Sequence, residues 1–351
     1  MALIAAVAAV IAFVAGFGAG WYGHAPSSSG GSNSPPASVT LSVTAAGSLA
    51  VNFPALASAF ANATPAVTAP AAAQQFQGSI AALSAISGLH DKYDIAAVAD
   101  YHLIPRMLEP GYATWEVVFA GNPVVLAYDP SVSAFHNINS TNWASELESS
   151  GTMLGVANAS ADPMGYNAIF ALQLEGLREG TGLSSIYGHF YSGAPGALAV
   201  ANPSTTRVEP ETQAAALLKA HTVGAFFVYQ SYAHSSNLNY VLLPTTVDLG
   251  ATDSASLALY NQSSTTITTT NGPLVIRGAP VLFAITVPSN APDPTVAVEF
   301  VAFLLAREGT TLSSGGFVPL VPAYVDNPSA LPAPLIGAVA PLPSVLAAQL
   351  G

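Results

Sequence analysis

Residues 39–48 read VTLSVTAAGS, and this stretch sets the fold class. Val39, Leu41 and Val43 alternate with Thr40, Ser42 and Thr44, the period-two pattern of a strand with one buried face. Ala45-Ala46-Gly47-Ser48 ends it, and a helical stretch follows over residues 49–62. A strand, a Gly-Ser turn and a helix in succession form the βα unit of an α/β sheet. The same turn recurs at Gly78-Ser79, ahead of the helical run IAALSAISG. Each such turn presents unpaired backbone N–H groups, a serine hydroxyl and the positive end of a helix dipole, which together suit an anion without any basic side chain. Serine at a helix start is also a common stabilising cap, so the turn alone leaves both readings open.

Outward from these turns the alternation persists. Residues 93–97 (YDIAA) read as a buried strand. Residues 115–128 (WEVVFAGNPVVLAY) form a long extended segment broken at Gly121, Asn122 and Pro123. Residues 153–157, 226–231 and 281–287 read as further strands. Asp162-Pro163 and Asp293-Pro294 each open a helix, with Asp at the N-cap and Pro in the first turn, running to Arg178 and Arg307. A short helix is expected over 211–220, and a solvent-facing hairpin or loop over the Ser/Thr-rich residues 254–271.

Composition narrows the function. Of 351 residues, 51% are hydrophobic and 7% charged; seven Lys+Arg against 19 Asp+Glu leave a net charge of −12. That hydrophobicity excludes intrinsic disorder. The seven basic residues never cluster, which argues against nucleic-acid binding. Residues 2–22 carry no charge and reach membrane-spanning length, so segment 1–24 reads as a signal peptide or a membrane anchor. The Gly/Ser/Pro stretch 25–37 reads as a flexible linker. With the sequons beginning at Asn62, Asn139, Asn158 and Asn261, this favours an extracellular address. No cysteine is present, which removes disulfides and thiol chemistry.

No nucleophile elbow, zinc-protease helix, P-loop or dinucleotide fingerprint occurs, so an enzyme is not expected. The residues left with chemistry to offer are Ser48 and Ser79 in the Gly-Ser turns, Asp162 and Glu211 at helix starts, and Tyr229 at the end of a strand. Asp100 follows a buried strand, where it holds a turn or lines a cleft. Capping alone accounts for an isolated acidic residue at a helix start.

In order, these pieces resemble the archaeal tungstate/molybdate-binding proteins, the receptors of tungstate and molybdate ABC importers. The resemblance rests on Ala46-Gly47-Ser48-Leu49, Gly78-Ser79, DIAAVADY from Asp94 with Leu103-Ile104-Pro105, and residues 115–128. It continues through Asn142-Trp143, Asp162-Pro163-Met164-Gly165-Tyr166 and Val228-Tyr229-Gln230-Ser231-Tyr232-Ala233. Leu243-Pro244, Ile285-Thr286-Val287-Pro288 and Asn290-Ala291-Pro292 complete it, and the order holds from about residue 39 to 322. The chain departs from the family pattern where Met164 and Asn167 replace a Cys and an Arg, and where Gln230 replaces a basic residue.

The resemblance implies a type II, periplasmic-binding-protein-like α/β fold of two lobes joined by hinge strands, with a central ligand cleft and an N-terminal hydrophobic helix. Lobe I would be 38–121 plus 288–351, and lobe II 122–287. Ser48 and Ser79 match the serines of the family's two Gly-Ser turns. Asp162 and Glu211 match the two carboxylates that approach tungsten or molybdenum, and Tyr229 matches the tyrosine of the following strand. Glu209 is the alternative to Glu211, because the family's Arg-Pro-x-Glu run reads Arg207-Val208-Glu209-Pro210-Glu211 here. The implied ligand is tungstate or molybdate, with no cofactor. The implied partners are an ABC permease and its ATPase, with the protein a monomer at the extracellular face of the membrane. Two other readings stand beside it: a receptor of the same fold for sulfate, phosphate or another anion, and a non-transport surface glycoprotein.

Overall fold

A computed structural model describes residues 38–269, 272–307 and 312–350. The expected N-terminal helix and its linker lie outside these residues. No helix among the described residues is long and apolar enough to cross a membrane.

Two sheets carry the structure. The larger has seven strands in the order Val339–Pro341, Val318–Val325, Val117–Gly121, Leu282–Thr286, Ile95–Val98, Val43–Ala46 and Gln74–Gln77. Val43–Ala46 pairs in parallel with both Gln74–Gln77 and Ile95–Val98, as βα units require. Leu282–Thr286 runs antiparallel between Ile95–Val98 and Val117–Gly121. The smaller sheet has five strands in the order Thr206–Val208, Leu154–Val156, Ala225–Tyr229, Val124–Tyr128 and Tyr240–Leu242. The central strands of both sheets are buried on both faces, which is why they read as continuous apolar runs.

The chain passes from the larger sheet to the smaller at Asn122-Pro123 and returns ahead of Leu282–Thr286. The two passages touch: the Asn122 N–H donates to the Val281 carbonyl at 3.1 Å. Asn122 is itself buried, and its amide exchanges two hydrogen bonds with Ser231, at 2.7 and 3.0 Å. The crossover is thus held by backbone and side-chain bonds together. Larger-sheet membership takes Leu282–Thr286 away from the 122–287 segment with which the sequence had grouped it, because this returning strand fills the gap between Ile95–Val98 and Val117–Gly121.

Local expectations meet two differences. The 254–271 stretch holds a helix, Ser254–Tyr260, before its hairpin; Asp253 caps it, accepting from the N–H groups of Ala255 and Ser256, while Leu257 and Tyr260 bury. The strand expected over 226–231 ends at Tyr229, and Gln230–Ser235 is helical. The Asp162-Pro163 helix spans Pro163–Arg178 with Asp162 accepting from the Met164 N–H, and residues 211–220 divide into a 3-10 turn, Glu211–Gln213, and a helix, Ala214–Lys219.

The larger sheet also buries a group of acids. Glu116 is fully enclosed, and neither of its carboxyl oxygens has a hydrogen-bond partner. Its N–H donates to Asp326 at 2.7 Å, and Asp326 also bonds the Glu109 side chain. Burial, then the neighbouring acids, pushes Glu116 well above the ordinary carboxylate range and Glu109 up to about 6.

Candidate functional site

The two Gly-Ser turns sit at the ends of adjacent parallel strands, so the larger sheet delivers them side by side. Gly47–Leu49 forms a 3-10 turn directly after Val43–Ala46, and Ser79 opens the helix Ser79–Ser87 after Gln74–Gln77. Both serines are fully buried. The Ser79 hydroxyl accepts the Ala99 N–H at 3.0 Å, which leaves its own hydrogen to give. The Ser48 hydroxyl has no hydrogen-bond partner, an expensive state for a buried polar atom.

The glycines before these serines are required for a different reason from turn conformation. A Cβ on Gly78 would stand 2.2 Å from the Ala161 carbonyl oxygen and 3.0 Å from the Asp162 Cβ. One on Gly47 would stand 2.8 Å from a Thr212 methyl. The backbone at each turn therefore lies directly against the segments that carry Asp162 and Glu211, both of which belong with the smaller sheet.

Asp162 is partly buried and accepts the Met164 N–H at 3.0 Å as the cap of its helix. Burial lifts it to about 6 against the pull of that bond. Glu211 is buried, and one of its oxygens accepts the Tyr229 N–H at 3.2 Å. Burial first, and the Asp162 charge second, push Glu211 well above its ordinary range. Tyr229 is fully buried between them; its phenol accepts from the Asn167 amide at 3.0 Å, and burial followed by the Asp162 and Glu211 charges raises it. A cavity of about 440 Å³ opens onto this seam, lined by Gly78, Asn158, Asp162, Glu211 and Thr212 among others.

The structure thus brings Ser48, Ser79, Asp162, Glu211 and Tyr229 to one seam between the sheets. Glu209 also borders the cavity, but its carboxylate is turned to Arg207 at 2.6 Å, and Glu211 alone reaches Tyr229. None of the five is a cation, and among the described residues no Lys, Arg or His lines the cavity. Among the described residues no three His, Cys, Asp or Glu are grouped to hold a metal ion. The arrangement is one of hydroxyl and N–H donors on the larger-sheet wall facing two carboxyls and a phenol on the other.

Sequence reasoning missed a hydrogen bond across the seam. Tyr166, on the Asp162 helix, donates its phenol to Asp100, which follows the larger-sheet strand Ile95–Val98. Asp100 also accepts from the His102 N–H at 2.9 Å and from His102 Nδ1 at 2.7 Å. Burial opposes its charge, but His102 and Tyr166 outweigh burial and hold Asp100 down at about 2. The Asp94–Tyr101 and Asp162–Tyr166 runs both stood out in the sequence; nothing in either says that they meet.

Comparison with known proteins follows the same lines. Residues 41–317 match the family model described as bacterial extracellular solute-binding protein. The molybdate/tungstate-binding protein of Thermococcus kodakarensis is 31% identical over 298 residues, covering 81% of this chain and 82% of its own. That of Pyrococcus abyssi is 30% identical over 279 residues, covering 75% and 79%. Among solved structures, the periplasmic molybdate-binding protein of Azotobacter vinelandii aligns with a TM-score of 0.54 at 14% identity, covering 79% of this chain and 98% of that one. The sulfate-binding protein SubI of Mycobacterium tuberculosis aligns with a TM-score of 0.56 at 12% identity, covering 81% and 88%. The last two show the fold, which is the α/β fold of type II periplasmic binding proteins. Sheet order, closed seam and sequence relatives agree: the chain belongs to the extracellular solute-binding proteins, in the family of the molybdate/tungstate-binding proteins.

Proposed function

We propose that this chain is the solute-binding component of an ABC importer and captures tungstate or molybdate between its two lobes. The lobes are the parts built on the seven-stranded and five-stranded sheets. The carrying observation is the pairing of a partly buried carboxyl, Asp162, and a buried one, Glu211, with an unpartnered buried hydroxyl at Ser48 and, among the described residues, no cation lining the cleft.

The chemistry favours a hexavalent metal centre. Tungsten and molybdenum in their oxyanions are hard Lewis acids that accept further oxygen donors. Asp162 and Glu211 supply two, raising four oxygen ligands to six. Sulfur and phosphorus do not expand their shells in this way, so the same carboxylates only repel sulfate or phosphate. Ser48, Ser79 and the N–H groups of their turns serve the outer oxygens, and Tyr229 packs behind the carboxylates. Closure brings the walls together around the anion, and a permease with its ATPase recognises that closed, monomeric form at the extracellular face, to which segment 1–24 delivers it as a signal peptide or holds it as an anchor.

Calorimetry on the full chain with tungstate, molybdate, sulfate and phosphate tests this. Sub-micromolar binding of tungstate or molybdate is expected, lost in Asp162→Ala and Glu211→Ala, with X-ray absorption of the bound metal showing six-coordination. Equal sulfate affinity, which the fold shared with a sulfate-binding protein makes the second reading, would overturn the metal-centred account. Absence of any oxyanion binding would leave a surface glycoprotein.

A further inference from the structure

The cations of this chain are few, and two of them border the same space. Arg106 and Arg277 line one cavity of about 450 Å³, together with His102, Asn261 and Gln349. Among the described residues neither guanidinium has an ion pair or a side-chain hydrogen bond, whereas Arg178 and Arg207 each pair with a glutamate and Arg307 lies over the Phe303 ring. In a chain with 19 acidic residues against seven Lys+Arg, a cation finds a carboxylate easily. Two guanidiniums that instead share a cavity repel each other, and only an anion between them reverses the sign. The nearby carboxylate, Asp100, is already engaged by Tyr166 and His102 and does not serve them.

The two arginines come from opposite sides of the hinge. Arg106 lies in the helix Leu103–Met107, which follows the larger-sheet strand Ile95–Val98. Arg277 ends the hairpin Ser264–Thr269/Gly272–Arg277, which is tied to the Asp162 helix by paired Gln173–Ser264 bonds of 2.9 and 3.0 Å. Gly278 and Ala279, also on the cavity wall, lead into the returning passage at Val281. The cavity is distinct from the seam that holds Asp162 and Glu211, with which it shares no lining residue.

We propose that this hinge cavity is a second anion site, which takes a small multivalent oxygen anion, a phosphate or a polycarboxylate, gripped by Arg106 and Arg277 so that its binding favours the closed form. The planar forks of the two guanidiniums suit such oxygens, and the amides of Asn261 and Gln349 complete the donor set. Because the grip needs both sides of the hinge near each other, the anion and the ligand of the main cleft strengthen each other's binding.

The test uses inorganic phosphate and citrate as probes, titrated by calorimetry into protein already saturated with tungstate. Millimolar or tighter binding of one probe is expected, reduced at least about tenfold in Arg106→Ala and in Arg277→Ala, as loss of a charge-assisted pair implies. Both side chains are exposed and unbonded, so both variants keep the fold. The apparent tungstate affinity is expected to rise about fivefold with the probe present, and not at all in either variant. No binding of either probe, binding that survives both substitutions, or an unchanged tungstate affinity overturns the proposal. If tungstate does not bind the main cleft, its affinity arm is dropped and the probes are titrated into parent and arginine variants without tungstate, where only a binding event lost in both variants supports the hinge cavity, so the two readings fail separately.

Discussion

Replacing Gly78 with alanine isolates the energetics of closure. At Gly78 φ is −59° and ψ 139°, a conformation alanine adopts without strain, so the backbone sets no penalty. The added methyl would stand 2.2 Å from the Ala161 carbonyl oxygen, on the opposite wall of the seam. Carbon and oxygen settle at roughly 3.3–3.6 Å, so the walls must part by about 1 Å. Overpacking of this kind costs about 1–3 kcal/mol. In the open form the methyl faces water and costs nothing, so the whole penalty falls on the closed state. Tungstate affinity should then weaken by about five- to 150-fold. Ligand-free stability should hold or rise slightly, since Gly→Ala at a permitted φ narrows the unfolded ensemble. Calorimetry with tungstate, beside thermal melting of the ligand-free protein, reads both quantities. A variant that melts like the parent and binds within twofold of it would show that Gly78 and Ala161 do not meet in the bound state, and the account of the seam would fail.

The other consequences are narrower. Gly47→Ala faces the Thr212 methyl, a side-chain atom able to turn aside, so its calorimetric loss should be smaller than that of Gly78→Ala; an equal or larger loss would contradict the contact pattern. Tyr166→Phe removes a charge-assisted bond across the seam, worth about 1.5–3 kcal/mol, and should weaken tungstate binding about ten- to 150-fold without touching the ligand; an unchanged affinity would mark that bond as incidental. Glu109, Glu116 and Asp326 have folded pKa values above their unfolded ones, so each contributes stability in acid that is lost as pH rises through its folded pKa, which is about 6 for Glu109. The urea midpoint should therefore fall between pH 4.5 and pH 7, and fall less in Glu116→Gln; a midpoint that climbs over that window would reverse the sign of the argument. Asp100, held at about 2, has the opposite dependence but acts only in stronger acid.

Much of the architecture was legible because it is local. The Gly-Ser turns, the broken 115–128 segment and the Asp-Pro helix starts each carry their signal within a few residues, and each appears where expected. The helix Ser254–Tyr260 hid inside a Ser/Thr-rich run because its two buried residues, Leu257 and Tyr260, are too few to set a period. Gln230 and Ser231 read as strand because they follow Phe226, Phe227 and Val228 without a break; the turn into helix is held by Asn122, a distant residue whose side-chain amide oxygen takes the Ser231 N–H. Candidate residues were named from chain order, yet what unites them is contact between distant segments. The closeness of Gly78 to Ala161 and of Tyr166 to Asp100 has no local signature. The place of Leu282–Thr286 was missed for the same reason, since a returning strand does not announce its partners.

That strand has a consequence for how the molecule is made. Leu282–Thr286 bonds Ile95–Val98 on one side and Val117–Gly121 on the other. Before it emerges during synthesis, the seven-stranded sheet can exist only as fragments, whose two apolar inner edges invite pairing with other chains. All five strands of the other sheet are complete by Leu242, so that part is free to fold first. Translation stalled between residues 242 and 286 would release a chain with one finished half and one sticky, unfinished half. The hazard of aggregation during synthesis is therefore greatest in a window of some forty residues, and falls when a single five-residue strand joins the two fragments, which leaves the outer edge of Val117–Gly121 to wait for Val318–Val325.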